Sequence, residues 1–362
     1  MDRVRRPPGA IYFPTLDGLR FFAFLLVFLH HLPRAELPVL GFLHDNGWVG
    51  VHIFLALSAY LLTAILRSEH ARNRAISIGR FYARRCLRIW PLYFAFCGVV
   101  TVFAVSRHSL SENSLFRLGT LVVFVDNVAT GFKGYNPLPH TGHLWTISLE
   151  EQFYLVLPFL LRRWLGNTNV LMRGLLAIWF GFVAVRVLCV LNGATHPLIW
   201  TSVFSADSLL LGTAMGATGW RPRLAPVGRT AIVVGGIIGI FSGGFLPRIE
   251  QVGFHQVIVY STVGLGAGLL ALAALTEPLL AFLGVPALRY LGKISYGLYV
   301  FHIAGLSIGT RLIARVAPGQ WWLVATASFV VTLVLSIVSY ELFEKKFLLL
   351  KRRFETIHTR PV

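Results

Sequence analysis

The sequence is poor in charged residues, and especially in acidic ones. Only 13% of its 362 residues are charged, and 15 Asp and Glu stand against 33 Lys and Arg. Its three cysteines, Cys86, Cys97 and Cys189, form no closely spaced pairs, so neither a disulfide framework nor a zinc site is predicted. The sequence also has no Walker A loop, no strand-borne glycine-rich turn and no His-Glu-x-x-His pair. These absences leave ATP hydrolysis, dinucleotide redox chemistry and zincin chemistry without support.

Apolar residues are abundant instead. They make up 56% of the chain, against about 45–50% in soluble domains, and the mean hydropathy is +0.68. This composition predicts an all-α polytopic membrane protein. The formal net charge of +18 would suggest a nucleic-acid partner in a soluble protein, but in a membrane protein it reports basic cytoplasmic loops. We therefore expect membrane lipids, and no nucleic acid, around this chain.

A membrane-spanning helix needs about 20 mostly apolar residues, and about ten segments qualify. The first contains charged residues and ends without a small-residue cleavage site, so it is interpreted as a retained span rather than a signal peptide. The predicted spans are 16–32, 48–66, 89–106, 144–161, 171–191, 199–219, 230–246, 255–276, 294–314 and 321–343.

The distribution of basic residues predicts the topology. An eleventh apolar segment, 115–128, is short and contains Arg117 and Asp126. If it does not cross, every strongly basic connection lies on the cytoplasmic side, as the positive-inside tendency requires. We therefore predict about ten spans with both termini cytoplasmic, and a re-entrant or interfacial segment at 115–128. The predicted domain organisation is a single membrane domain over 1–362, with a core at 16–346 and short basic tails at 1–15 and 347–362.

The first span carries ionisable residues that lipid would normally exclude. Arg20 and His31 are eleven positions apart, with His30 beside the second of them. Eleven steps of about 100° return a helix to within about 20° of the same face, about 16 Å further along. Because ionisable side chains inside a span are costly, the pair predicts a functional path through the bundle. The alternative is that Arg20 and His31 each extend to the nearer interface.

An arginine-rich segment leads into the third span. Arg85 and Arg88 share a helical face, and guanidinium groups grip phosphates with two parallel hydrogen bonds. The segment therefore predicts a site for a phosphorylated cytosolic ligand, and the alternative is a positive-inside anchor within an interfacial aromatic belt. The candidate binding residues are Arg80, Tyr82, Arg84, Arg85 and Arg88.

Two adjacent carboxylates, Glu150 and Glu151, lie about two turns inside the fourth span. Helical periodicity places His143, Glu150 and Tyr154 on one face and displaces Glu151 by about 100°. Glu150 is therefore predicted to face a polar cavity, and Glu151 to pair with an arginine elsewhere. The alternative is a buried ion pair that only fixes helix packing.

Three further positions complete the set of unusual polar residues. The ninth span opens with small and polar residues around Tyr296, suited to close helix approach or a polar wall, and His302 follows. Asp207 is an isolated carboxylate in the sixth span. Adjacent histidines such as His30 and His31 do not converge on one ion, so no metal site is predicted.

Together these stretches resemble the acyltransferase-3 family of integral membrane acyltransferases, which O-acylate bacterial surface glycans and some secreted small molecules. Leu-Asp-Gly-Leu-Arg followed by ten residues and His is similar to the first-span signature, and places the family's functional Arg on Arg20 and its essential His on His31. The segment 54–63, which includes Ser58, is similar to the second-span motif, with Ala59 where Gly is usual. Three further motifs match in order, at 80–91, 143–154 and 292–302.

The resemblance implies a fold of ten spans and a membrane O-acyltransferase. Such an enzyme would move an acyl group, most simply acetyl, from cytosolic acyl-CoA to a hydroxyl of an extracytoplasmic carbohydrate such as O-antigen or exopolysaccharide. It would lie in the bacterial cytoplasmic (inner) membrane and need no metal. His31 would act as general base or as an acyl-carrying nucleophile, with Arg20 and Glu150 in support. The residues expected to hold the acceptor or support the site are His143, Tyr154, Glu151, Ser58, Tyr296 and His302.

Two other functions stay open on the sequence alone. The same motifs serve enzymes that acylate a macrolide or another small secondary metabolite. Buried Arg, Glu and His residues also form the proton relays of transporters, although no inverted repeat is evident in this chain. The acyl chain, the acceptor, the oligomeric state and the choice between direct transfer and an acyl-histidine intermediate are likewise undecided by the motifs.

Overall fold

A computed structural model gives the fold of most of the chain. The described residues are 11–194, 196–220, 225–247, 250–251, 253–357 and 359. Within them the protein is all helical, with sixteen α-helices and no strand, so the predicted all-α class is confirmed. The helices are α1 (Pro14–His31), α2 (Pro38–Asn46), α3 (Val49–Asn73), α4 (Ile78–Ser106), α5 (Glu112–Val122), α6 (Asp126–Lys133), α7 (Trp145–Trp164), α8 (Thr168–Leu191), α9 (His196–Trp200), α10 (Asp207–Thr218), α11 (Pro226–Ile240), α12 (His255–Thr276), α13 (Pro286–Lys293), α14 (Ser295–Val316), α15 (Trp321–Ser339) and α16 (Lys345–Lys351).

Six helical segments among the described residues are long and apolar enough to cross a membrane. They are α3, α4, α8, α12, α14 and the continuous segment Trp321–Phe354, which contains α15 and α16. The helices α1 and α7 have 18 and 20 residues but carry the ionisable residues discussed above, and they are not among the six. The protein is therefore a polytopic membrane protein, and the number of about ten spans stays a prediction.

The sixth predicted span, 199–219, is interrupted. Helix α9 ends at Trp200, a 3₁₀ turn covers Val203–Ser205, and α10 begins at Asp207 and has 12 residues. A helix of that length rises about 18 Å, well short of the roughly 30 Å hydrocarbon core. The break occurs where Asp207 starts α10 and binds buried Arg186 of α8, with 2.6 Å between Nη1 and Oδ2.

The segment 115–128 forms two short helices, α5 and α6, rather than one crossing helix. They contain 11 and 8 residues, so neither spans the hydrocarbon core alone. Arg117 of α5 binds Asp126 of α6 at 2.9 Å, and both side chains are fully buried. Arg117 also donates to Thr130 and to the main chain of Gly134, which fixes α5 against α6.

Helix α1 lies in the middle of the bundle and contacts α3, α12, α13 and α14. Two glycines from different sequence motifs let its backbone come very close to its neighbours. A Cβ on Gly18 would overlap the main chain of Leu283, and one on Gly292 of α13 would overlap the main chain of Asp17. These crossings hold Arg20, one turn further along α1, at a fixed place in the bundle.

The second-span motif achieves close packing although Ala59 replaces its usual glycine. Gly212 and Gly216 of α10 supply the missing space, since a Cβ on Gly212 would overlap Ala56 and Ala59, and one on Gly216 would overlap Tyr60 and Thr63. Small residues four positions apart are a common means of close approach between membrane helices. At this crossing the glycines therefore lie on α10 rather than on α3.

Replacing Gly292 by Ala is expected to destabilise the bundle, because the added Cβ would overlap the backbone of Asp17 and separate α13 from α1. Overpacking of this kind costs about 1–3 kcal/mol. Thermal unfolding of the purified protein in detergent measures the effect. The matched control is Gly98→Ala in α4, where nothing lies within 4 Å of the new Cβ. Equal unfolding midpoints for the two variants would contradict the close crossing.

Candidate active site

A large cavity lies among α1, α3, α4, α7 and α14. It contains about 1660 Å³ of space, counting its open mouth. Apolar side chains form much of its wall, among them Leu55, Leu62, Ile89 and Ile147. Most of the charged residues in the sequence motifs also line this cavity. The cavity is therefore the candidate active site.

Cations dominate the charged lining of this cavity. Arg20, Arg85, Arg88, Lys293 and Lys351 all line it, and they come from four different helices, α1, α4, α13 and α16. Arg20 lies 3.5 Å from Asp17, and Lys351 lies 2.8 Å from Glu355, measured between the charged atoms. The cavity therefore has an excess of positive charge that suits a ligand with several negative charges.

The residues of the arginine-rich segment have different environments in the structure. Arg84 lines the cavity, but it is buried and committed to an ion pair with buried Glu69 at 3.3 Å, and it donates to the main chain of Phe354. Arg80 is exposed and does not line the cavity. Tyr82 is also outside the lining, and its hydroxyl donates to the main chain of Leu155. Of the five predicted binding residues, Arg84, Arg85 and Arg88 line the cavity, and Arg84 is the one that forms the ion pair with Glu69.

Glu150 lies in the cavity wall and is held by two hydroxyl groups. Ser58 of α3 donates to Oε1 at 3.2 Å, and Tyr154, one turn further along α7, donates to Oε2 at 3.0 Å. The guanidinium of Arg85 lies 6.0 Å from the centre of the Tyr154 ring. The shared helical face predicted for Glu150 and Tyr154 thus exists, and it links the carboxylate to the arginine cluster.

Glu151 has a different environment from the one predicted. Its Oε2 accepts a hydrogen bond from the indole nitrogen of Trp90 at 3.1 Å, and the residue is 8% exposed. Among the described residues it forms no ion pair with an arginine, so that prediction is wrong. The displacement of about 100° from Glu150 turns Glu151 toward α4, where a neutral indole donor occupies the place expected for a guanidinium.

Four histidines form a row at the C-terminal end of α1, which the predicted topology places on the outer side. The ring centres of His30 and His31 lie 5.1 Å apart, those of His31 and His302 lie 4.9 Å apart, and those of His302 and His143 lie 4.6 Å apart. His302 and His143 are buried, whereas His31 is exposed. The sequence named three of these positions as functional candidates from separate motifs, and the fold brings them into contact.

The hydrogen bond of His31 decides which of its nitrogens can accept a proton. Nδ1 lies 2.8 Å from the main-chain oxygen of Val27. A carbonyl oxygen only accepts, so Nδ1 carries the hydrogen and Nε2 of the neutral ring keeps its lone pair. His302 is held in the same way by the main-chain oxygen of Tyr299, 2.6 Å from its Nδ1. His31 therefore presents a basic nitrogen from an exposed position.

The path predicted between Arg20 and His31 is only partly continuous. Arg20 lines the cavity, but His31 does not. The cavity ends at Tyr299, whose ring centre is 5.4 Å from that of His302, and His302 in turn contacts His31. Helix α14 therefore contributes a layer between the cavity and His31 that helical spacing within α1 cannot reveal.

Two cavity cations were not predicted as site residues. Lys293 lies within the motif at 292–302 but was not named as a site residue, and Lys351 belongs to the segment predicted as a cytoplasmic tail. The structure instead folds 347–357 back against the bundle, and Lys351, Glu355, Ile357 and Thr359 line the cavity. Tyr296, which was predicted to support the site, also lines the cavity, and its hydroxyl donates to the main chain of Ile89 at 2.8 Å.

Comparison with known proteins supports the motif analysis. A family model described as an acyltransferase domain, that of the acyltransferase-3 family, matches residues 13–341. The peptidoglycan O-acetyltransferase OatA of Listeria monocytogenes is 28% identical over 342 residues, which cover 86% of this chain and 52% of the relative. The O-acetyltransferase OatA of Staphylococcus aureus is 27% identical over 323 residues, 83% of this chain and 51% of the relative. No solved structure matches the chain significantly.

The fold is a polytopic helical bundle with a cation-lined cavity, and the matching family model describes an acyltransferase domain. The family match covers nearly all of the chain, and the chain therefore belongs to the acyltransferase-3 family. The predicted family membership is confirmed. The chain spans about half the length of the curated relatives it matches.

Arg84 and Arg80 offer a test of the division within the arginine-rich segment. Arg84→Gln is expected to cost about 3–5 kcal/mol of stability, because it leaves the buried Glu69 carboxylate without its cation. Arg80→Gln, the same change at an exposed position, is expected to stay within about 0.5 kcal/mol of wild type. Thermal unfolding in detergent measures both. A wild-type midpoint for Arg84→Gln would show that the ion pair does not hold α3 to α4.

Proposed function

We propose that the protein transfers an acyl group, most simply acetyl, from cytosolic acyl-CoA to a hydroxyl of an extracytoplasmic glycan. The observation that carries this proposal is the cavity with Arg20, Arg85, Arg88, Lys293 and Lys351 in its wall, next to a row of histidines that includes exposed His31. Coenzyme A carries several phosphate groups, and Arg and Lys are the side chains that bind phosphate best. The bacterial cytoplasmic membrane is the proposed location.

The donor would lie along the cavity, with its phosphates on the cations and its pantetheine arm against the apolar wall. Arg20 and His31 are separated by about 16 Å of helix, a length that such an arm can bridge. The thioester would have to pass Tyr299, which lines the cavity beside His302. Tyr299 is fixed there by Thr146, whose hydroxyl lies 2.7 Å from its own.

In the proposed reaction His31 acts as general base through Nε2. The acceptor oxygen attacks the thioester carbonyl carbon, a C–O bond forms and the C–S bond breaks, and the hydroxyl proton passes through His31 to the departing sulfur of CoA. In a second route His31 first takes the acyl group and then gives it to the acceptor, with the same overall balance. Glu150, held by Ser58 and Tyr154, would orient the donor in the cavity.

A glycan acceptor is supported by the printed names of the relatives, one of which is a peptidoglycan O-acetyltransferase. Similarity to that protein covers about half of its length, so the acceptor of this chain is proposed within the class of surface carbohydrates rather than as peptidoglycan itself. The exposed His31 at the end of α1 opposite Arg20 suits an acceptor that arrives from the other side of the membrane.

His31→Ala is expected to abolish transfer, because it removes the basic nitrogen that takes the acceptor proton, while acyl-CoA binding persists. The measurement uses proteoliposomes, isotope-labelled acetyl-CoA and extracted surface glycan. Label on the glycan with wild type supports the proposal, and label on a small hydroxylated molecule supports the secondary-metabolite alternative. Label on no acceptor and not on the protein points to a transporter. His108→Asn, an exposed control outside the histidine row, should stay active. Full activity of His31→Ala would contradict the proposed role of His31.

Arg85→Gln and Lys351→Gln are each expected to weaken acetyl-CoA binding about tenfold or more. Both side chains line the cavity, and a hydrogen bond to a charged group contributes about 1.5–3 kcal/mol. Equilibrium binding of acetyl-CoA to the purified protein measures the change. Arg80→Gln serves as the control because Arg80 lies outside the lining. Unchanged affinity in all three variants would place the phosphates elsewhere.

A further inference from the structure

A second cavity lies at the outer end of α1, beyond the histidine row. It encloses about 970 Å³ of space, counting its open mouth, between α2, the start of α12 and the 3₁₀ turn Ser242–Phe245. Neither the family motifs nor the proposed donor site accounts for this second cavity.

His30 connects the outer cavity to the reacting end of the protein. Its side chain lines the cavity, and its ring centre is 5.1 Å from that of His31. Nδ1 of His30 lies 2.6 Å from the main-chain oxygen of His44, so this nitrogen carries the hydrogen and fixes the ring. A molecule held in the outer cavity is thus one imidazole away from the basic nitrogen of His31.

The lining of the outer cavity is polar but carries no excess of cations. Its ionisable and amide groups are His30, His44, His255, Asp45, Glu250 and Asn46. Two ring nitrogens, Nδ1 of His44 and Nε2 of His255, are buried and have no hydrogen-bond partner among the described residues. Buried polar atoms without partners are costly, and a ligand with hydroxyl groups would satisfy them.

The same lining argues against other classes of ligand. Asp45 is paired with Arg34 at 2.9 Å, and the Glu250 carboxylate disfavours an anion such as a free phosphate. No group of three or more metal-ligating side chains in the described part of the chain is arranged to hold a metal ion. Trp48 and Phe42 add aromatic surface beside the polar groups, an arrangement that fits a molecule with both C–H faces and hydroxyl groups.

We infer that the outer cavity is the acceptor subsite and that it binds a sugar unit of the glycan, with the hydroxyl to be acylated directed past His30 toward His31. The inference rests on the proposed function and deepens it. Carboxylate, amide and imidazole groups bind the sugar hydroxyls, and the aromatic side chains contact its C–H face. The donor and the acceptor thus occupy separate cavities, one cationic and one with mixed polar groups, on either side of the histidine row.

The test replaces groups of the outer cavity and measures the acceptor and donor sides separately. Glu250→Gln removes one carboxylate at an exposed position, and His255→Phe keeps a planar ring while removing both nitrogens. Each variant is expressed in a bacterium that lacks the native gene, and ester-linked acetate on its total surface glycan is measured after mild base treatment. The shift in thermal unfolding that acetyl-CoA causes in the purified variant reports the donor site.

The expected result is a fall in glycan-bound acetate of about tenfold for each variant, with an unchanged acetyl-CoA shift. Glu36→Gln is the matched control, the same chemical change on an exposed residue that does not line the cavity, and it should retain wild-type acetate. Wild-type acetate in both cavity variants would overturn the subsite alone. A wild-type protein that adds no acetate would contradict the proposed function itself. If His255→Phe loses the acetyl-CoA shift through misfolding, Glu250→Gln decides.

Discussion

A charge inside a membrane bundle must have a partner or face polar space, and this constraint sorts the charged residues of the protein. Arg117 with Asp126, and Arg186 with Asp207, are buried pairs that fix short helices against their neighbours. Arg84 with Glu69 does the same between α3 and α4. Cations also outnumber carboxylates in the lining of the large cavity, where Arg20 and Lys351 each have one carboxylate close by, so that cavity has an excess of positive charge.

Features set by local helical periodicity could be predicted from the sequence. Glu150 and Tyr154 share a face because they are one turn apart in a continuous helix, and Ser58 meets them from a motif in α3. Features set by contacts between distant segments could not be predicted. Lys351 reaches the cavity only because α16 folds back against α4, and no spacing in the sequence encodes that contact.

Two other features also depend on contacts between distant segments: the interruption of the sixth predicted span, and the position of the glycines at the crossing of α3 and α10. Hydropathy over 199–219 is uniform enough to predict a span, but the charge pair between Asp207 and Arg186 starts a new helix within it. Close packing of α3 could be lost with Ala59, yet Gly212 on α10 restores it. A single sequence shows one side of such a contact, while the bundle depends on both sides together.

In the proposed function, the histidine row lies between the donor and the acceptor. His302 and His143 are buried beside His31, between it and the end of the cationic cavity at Tyr299. Excluding water matters for acyl transfer because a water molecule competes with the acceptor hydroxyl for the thioester. An exposed base backed by buried imidazoles would let the acceptor approach from one side only. In the proposed reaction, this order of cations, buried histidines and mixed polar groups would favour transfer over hydrolysis.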